Sequence, residues 1–233
     1  FLEESSVFYK AKSQSWVAGD STPQYLVKVE DALKAESARV KAYLVPTTEA
    51  KILGVLVDEM LRDQETALLE KEGSGCRALL RDDKRDDLAR MYRLFHRVPK
   101  GLDPIAAMLT AHVEQEGKVV VDKRQQGIAE AEGKESSLDS AFVTSLLELH
   151  SKYSLMVQEQ FQGDPAFQKA LKNAFEKTVN TDVGKHSNAE LLAAYADSVL
   201  KSGGEEKHSE TEVEDVLEKV CQLFSFLQDK DVF

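Results

Sequence analysis

The chain has 233 residues, enough for one large or two smaller domains, with 42% hydrophobic side chains to fill a core and 30% charged ones to solvate it. Its 30 basic and 41 acidic side chains leave a net charge of −11, which argues against a broad nucleic-acid grip, because neutralising phosphates needs a basic face. No apolar run approaches the ~20 residues needed to span a bilayer, the opening lacks a signal-peptide pattern, and Cys76 and Cys221 fit no metal or redox spacing.

Those two cysteines read as reduced, partly buried thiols. The sequence opens on FLEESSVFY without an initiator Met and ends on Val232 and Phe233, which reads as a piece of a longer protein.

In chain order, Ser21-Thr22-Pro23 reads as a helix start, with Thr22 as the cap and Pro23 at the first helical position. Leu26, Val29, Leu33, Val40 and Leu44 then keep the three-to-four spacing of one helical face. Pro46 stops that helix, and Thr47 or Thr48 can cap the next, whose stripe is Leu53, Leu56, Met60 and Leu68, ended by Gly73-Ser74-Gly75. Cap-then-proline pairs recur at Asp103-Pro104 and Asp164-Pro165, and Phe142, Leu146, Leu149, Tyr153, Met156 and Phe161 form a further stripe.

Ser187 to Glu190 and Ser209 to Glu212 both have capping-box spacing. Val119-Val120-Val121 is the one hint of a strand, and it has no partner run. The expected fold is all-α, with roughly eight or nine helices. Ala129 to Ser137, AEAEGKESS, has no aliphatic side chain larger than Ala and is the expected domain boundary.

Asp82-Asp83-Lys84-Arg85-Asp86 has the DDxxD spacing with which all-α terpenoid synthases hold Mg²⁺ and diphosphate. Lys84 and Arg85 neutralise the cluster from within and no second carboxylate motif answers it. Asp83 as a helix cap, with Asp86 and Asp87 complementing the helix dipole, is the simpler reading. His112 with Glu116, and His96 with Lys100, share i,i+4 faces, but a pair is short of a metal site. The five histidines, at 96, 112, 150, 186 and 208, are dispersed. Neither a GxSxG elbow nor a phosphate-binding glycine loop is present. No catalytic, cofactor-binding or metal residue is assigned, no cofactor is expected, and partner-binding residues stay open. Phe8, Tyr9, Trp16, Tyr92, Phe95 and Tyr153 fall on helical stripes and read chiefly as core.

The stretch from Cys76 to Pro99 is the most informative, an acidic start followed by interleaved aromatic and basic residues. Ser21 to Glu30 with Arg39 and Tyr43-Leu44, Ser74-Gly75-Cys76 running into Ala78 to Lys84, Arg90 to Phe95, Leu149 to Tyr153, Ala189 to Leu200 and Asp229 to Phe233 together resemble the cullin family, in particular its plant-type cullin-1 branch. The resemblance runs nearly end to end.

It implies an elongated stalk of tandem cullin-repeat helical bundles, with 1–134 as most of repeat two and 135–233 as repeat three. It also implies a non-catalytic scaffold segment of an SCF-type cullin-RING ubiquitin ligase, cytoplasmic and nuclear. The partners so implied are a Skp-type adaptor with its F-box protein and a RING-box protein, both binding outside these residues. Leu146, Leu149 and Tyr153 are candidates for the junction between bundles. The competing reading is a helical-bundle vesicle-tethering subunit similar to exocyst components, with a terpenoid-synthase-like enzyme a distant third.

Overall fold

The computed structural model describes residues 1–130, 135–203 and 210–228. Among these, the chain forms eleven α-helices: α1 Leu2–Gly19, α2 Thr22–Tyr43, α3 Thr47–Met60, α4 Glu65–Leu69, α5 Cys76–Arg81, α6 Arg85–Phe95, α7 Asp103–Glu130, α8 Glu135–Glu159, α9 Pro165–Val179, α10 Asn188–Gly203 and α11 Glu210–Ser225. No strand occurs among the described residues, and the valine triplet 119–121 lies inside α7. Helical packing overrides its β-branched preference there, since Val121 is buried on the core side.

Two compact units result, Phe1–Leu109 with Glu159–Gln162, and Thr110–Gln158 with Gly163–Phe233. Helix α7 contributes residues to both. Of the boundary segment 129–137, residues 131–134 lie outside the described residues, and 135–137 belong to α8.

The first unit contains more helices than the periodicity suggests because the stripe from Leu53 to Leu68 is not one helix. It breaks after Met60, passes through a 3-10 turn at Arg62–Gln64 and resumes as α4. The break is stabilised from a distance: the Tyr25 hydroxyl donates to the Met60 carbonyl at 2.7 Å, satisfying an acceptor that the helix end leaves free. Both flanks stay in the core, with Met60, Leu61, Leu68 and Leu69 buried. Gly75 follows, and a Cβ there would lie 2.4 Å from the Leu69 carbonyl oxygen, so the turn into α5 accepts only glycine.

The starts of α2 and α3 differ from expectation by a residue. The α2 cap is Ser21, in a capping box with Gln24, and not Thr22. Thr22 is buried and donates to the Leu68 carbonyl at 2.9 Å instead. Neither Thr47 nor Thr48 caps α3, whose cap position is Pro46 with no side-chain hydrogen bond. Asp164 does cap α9, accepting from the Ala166 amide at 2.8 Å ahead of Pro165. Ser187 and Glu190 form the expected box at α10. Ser209, the other expected cap, lies outside the described residues.

The core of the second unit includes Leu146, Leu149 and Tyr153 from α8 with Phe167, Leu171 and Phe175 from α9. Helices α7 and α9 approach closely at Gly117, where a Cβ would sit 2.3 Å from the Thr178 hydroxyl oxygen. Arg124 is buried in this unit, with its guanidinium 4.8 Å from the Phe142 ring and paired to Asp139 at 2.8 Å.

Candidate functional site

The acidic cluster is dismantled by its own neighbours. Arg81 forks onto Asp82 at 2.8 and 3.0 Å, holding that carboxyl below its ordinary range through hydrogen bonding and charge. Asp83 sits at φ +49 and accepts from Arg85 at 3.2 Å. It is therefore not the α6 cap: that position is Lys84, with no side-chain hydrogen bond, while Asp86 and Asp87 occupy the first turn as expected. Each of Asp82 and Asp83 is turned to its own arginine and not toward a common point. Among the described residues no group of three or more His, Cys, Asp or Glu side chains is placed to hold a metal ion.

The histidines are likewise occupied separately. His112 Nε2 lies 2.8 Å from the Tyr153 hydroxyl, and burial lowers its basicity, with the Glu116 charge opposing and the Lys152 charge reinforcing that shift. His150 packs edge-on against Phe175 with centroids 4.9 Å apart, and burial pushes its pKa down to about 4. His96 leans on Tyr92, and His186 lies 3.6 Å from the Glu190 carboxylate. His208 is outside the described residues. Cys76 is buried, its thiol pushed up to about 12, while Cys221 is exposed. Burial of Cys76 removes it from thiolate chemistry. Of the aromatic residues, Tyr9, Tyr92, Phe95 and Tyr153 are core, whereas Phe8 is exposed beneath the Lys12 ammonium.

Surface grooves occur in both units among the described residues. In the second unit, α7 and the end of α9 enclose about 710 Å³ lined by Glu114, Lys118, Asp122, Lys177 and Asp182 among others. Its charges are mixed, and Lys177 is already bound to Glu114 at 2.6 Å. In the first unit, α2, α3 and α6 enclose about 650 Å³ above Leu33, Leu53 and Leu94, with Lys34, Lys41, Arg93 and Arg97 around it. Arg93 and Arg97 belong to the stretch of interleaved aromatic and basic residues from Cys76 to Pro99. The seven-residue spacing of Lys34 and Lys41, which puts both on one face of α2, was the signal that could have joined them to it.

Two compact units of packed helices with apolar cores define an all-α architecture. Over residues 1–233 the chain matches the family described as the Cullin alpha solenoid domain. It is 42% identical over 236 residues to Cullin-2 of Arabidopsis thaliana, covering 100% of this chain and 32% of that protein. Against Cullin-1 of Oryza sativa subsp. japonica it is 44% identical over 208 residues, covering 88% of this chain and 28% of the relative. Cullin-3A of Arabidopsis thaliana is 35% identical over 233 residues, with 100% and 30% coverage. The chain belongs to the cullin family. It spans about a third of the length of the curated relatives it matches. None of these three is a vesicle-tethering subunit, and the exocyst-type alternative finds no support in them. No described helix is long and apolar enough to cross a membrane.

Proposed function

We propose that this chain is a stalk segment of an SCF-type cullin-RING ubiquitin ligase, holding the substrate-receptor module at a fixed distance from the RING-bound ubiquitin-conjugating enzyme. The observation that carries the reading is a cullin match across all 233 residues, on helical units with packed apolar cores. In this reading 1–134 is most of cullin repeat two and 135–233 is repeat three. The Skp-type adaptor with its F-box protein and the RING-box protein engage other parts of the full-length protein, which works in the cytoplasm and nucleus.

The contribution of such a segment is mechanical. A stiff spacer sets the effective concentration of a substrate lysine at the charged conjugating enzyme, whereas a floppy tether dilutes it. No residue here needs to touch substrate for the segment to matter.

The test uses the full-length protein with residues 1–233 replaced by a long, flexible Gly-Ser linker. Adaptor and RING-box binding should persist in purified pull-downs while substrate ubiquitination falls about tenfold or more, as tethering arithmetic gives for a loosened link. Undiminished ubiquitination would overturn the spacer role. Failure of the intact protein to bind a Skp-type adaptor would overturn the SCF assignment separately.

A further inference from the structure

We propose that the groove between α2, α3 and α6 docks an acidic, aliphatic-bearing peptide segment of a partner protein. Its floor is Leu33 and Leu94, both buried, with the half-buried Leu53. Lys34 and Lys41 stand on one wall, two helical turns apart, and Arg93 and Arg97 stand on the other. Two carboxylates also line the groove, and both are engaged. Glu30 is bound by Lys34 at 3.6 Å, Arg90 at 3.5 Å and Arg93 at 3.3 Å, and Glu49 accepts from the Ser37 hydroxyl at 2.5 Å.

Burial alone would raise the Glu30 carboxyl. The Arg93 hydrogen bond, the Lys34 and Arg93 charges and the Arg90 hydrogen bond outweigh it and hold the group ionised. That leaves Lys41 and Arg97, exposed cations with no ion pair or hydrogen bond, on either side of an aliphatic floor. A protein of net charge −11 has carboxylates to spare for such cations, yet these two have none.

The character of the occupant follows from what surrounds those charges. Carboxylates on a peptide can meet Lys41 and Arg97, while an aliphatic side chain between them covers Leu53, the floor leucine that keeps exposed surface. Just beyond Lys41, Tyr43, Leu44 and Val45 are 83%, 39% and 65% exposed, extending the apolar surface at that end. A nucleic acid fits poorly. The floor offers no aromatic face for base stacking, and Glu30 and Glu49 would face its phosphates. The exposed cations act within a Debye length of about 8 Å at physiological salt, so the local field and not the net charge governs docking.

Random twelve-residue peptides displayed on phage should be selected against the purified chain and against the double variant Lys41→Glu with Arg97→Glu. Both residues are exposed, and matching circular dichroism melts will show that the variant is folded. The expected pool is rich in Asp and Glu alternating with Leu, Ile or Val. An enriched peptide, labelled and followed by fluorescence anisotropy, should bind about tenfold or more weakly to the double variant. It should bind unchanged to Lys118→Glu with Lys123→Glu in the second unit, and more weakly as salt rises.

Enrichment of neutral or basic peptides, equal affinity for both proteins, or no enrichment would overturn the proposal. So would displacement of the peptide by a twelve-nucleotide single-stranded RNA at lower concentration than unlabelled peptide requires.

Discussion

In the first unit the fully buried polar residues arrive with partners, and its unpartnered buried oxygens, on Glu59, Glu65 and Gln160, belong to side chains that are only half-buried. Tyr25 donates to Met60, Thr22 donates to Leu68, and the buried Glu36 accepts from both the Tyr9 hydroxyl and the Arg39 guanidinium. In the second unit the unpartnered atoms sit on residues that are themselves fully buried. Arg124 makes one ion pair while its Nε and Nη1 find no partner, His150 lies between aromatic rings, and the Asn188 carbonyl oxygen is unpartnered. A satisfied buried polar group fixes register at modest cost, whereas an unsatisfied one is a liability that the surrounding apolar core must offset. The second unit is therefore where single changes should do most damage.

The largest effect is expected at Asp139. Removing one partner of a buried ion pair strands the other charge, which costs about 3–5 kcal/mol when both are buried. Asp139 keeps 19% of its side chain exposed, so Asp139→Ala should cost about 3 kcal/mol, the lower end. Arg124→Met should cost less than half as much, because it removes the charge and two unpartnered nitrogens together. The counterpart in the first unit, Arg39→Ala, should cost about 1 kcal/mol or less, since Arg39 is 57% exposed and Glu36 retains Tyr9. Urea denaturation followed by far-UV circular dichroism measures all three. Fluorescence of Trp16, the only tryptophan, reports the first unit by itself. An Arg124→Met loss equal to that of Asp139→Ala would mean that packing of the arginine, and not its stranded charge, sets the cost.

Acid should separate the units next. Burial pushes His150 from 6.5 down to about 4. The unfolded chain therefore takes up a proton at higher pH than the folded one, and stability is lost as pH falls through the window from about 6.5 to about 4. At about pH 5 the deficit relative to pH 7 should be about 2 kcal/mol. In the first unit, Tyr9 and Tyr25 are shifted upward by burial and stay neutral throughout this window. Glu30, held low by its cations, loses its contribution only at more acid pH. Comparing urea midpoints of the wild type with His150→Gln at both pH values tests this. A wild-type deficit that persists unchanged in the variant would assign acid sensitivity elsewhere.

The elements that sequence made legible were those whose signals are local. Asp164-Pro165 and the Ser187 box are closed by atoms two or three residues away, so spacing alone identifies them. The choice between Ser21 and Thr22 is different, because Thr22 is drawn off by a carbonyl 46 residues distant. The break after Met60 likewise depends on Tyr25, from another helix. The acidic cluster could be discounted from its internal basic residues, yet its actual partners include Arg81, just outside the motif. The groove was legible only in one wall, where Lys34 and Lys41 share a face of α2, since the other wall comes from a helix some sixty residues on, whose cations look like ordinary solvated positions.

The same distinction between local and distant support predicts the smallest effect, at the two capping boxes. At α10, the Ser187 hydroxyl accepts from the Glu190 amide at 3.2 Å, and the Glu190 carboxylate accepts from the Ser187 amide at 2.8 Å. That backbone hydrogen bond is the chief reason the Glu190 carboxyl lies below its usual range. At α2, the Ser21 hydroxyl accepts from the Gln24 amide at a longer 3.4 Å, and the answering group is a neutral amide. The start of α2 is also anchored from outside: the Thr22 amide donates to the Ser74 hydroxyl at 3.2 Å, and the Thr22 hydroxyl reaches Leu68. A cap serine replaced by alanine typically costs about 1 kcal/mol. Ser187→Ala should show about that loss, and Ser21→Ala about half of it, because the distant anchors hold the first turn of α2 when its cap is gone. Thermal melts of the two variants decide the order. Equal losses would mean that the tertiary anchors of α2 contribute nothing that the cap does not already supply, and a second substitution, Thr22→Val in the Ser21→Ala background, would then add no further loss.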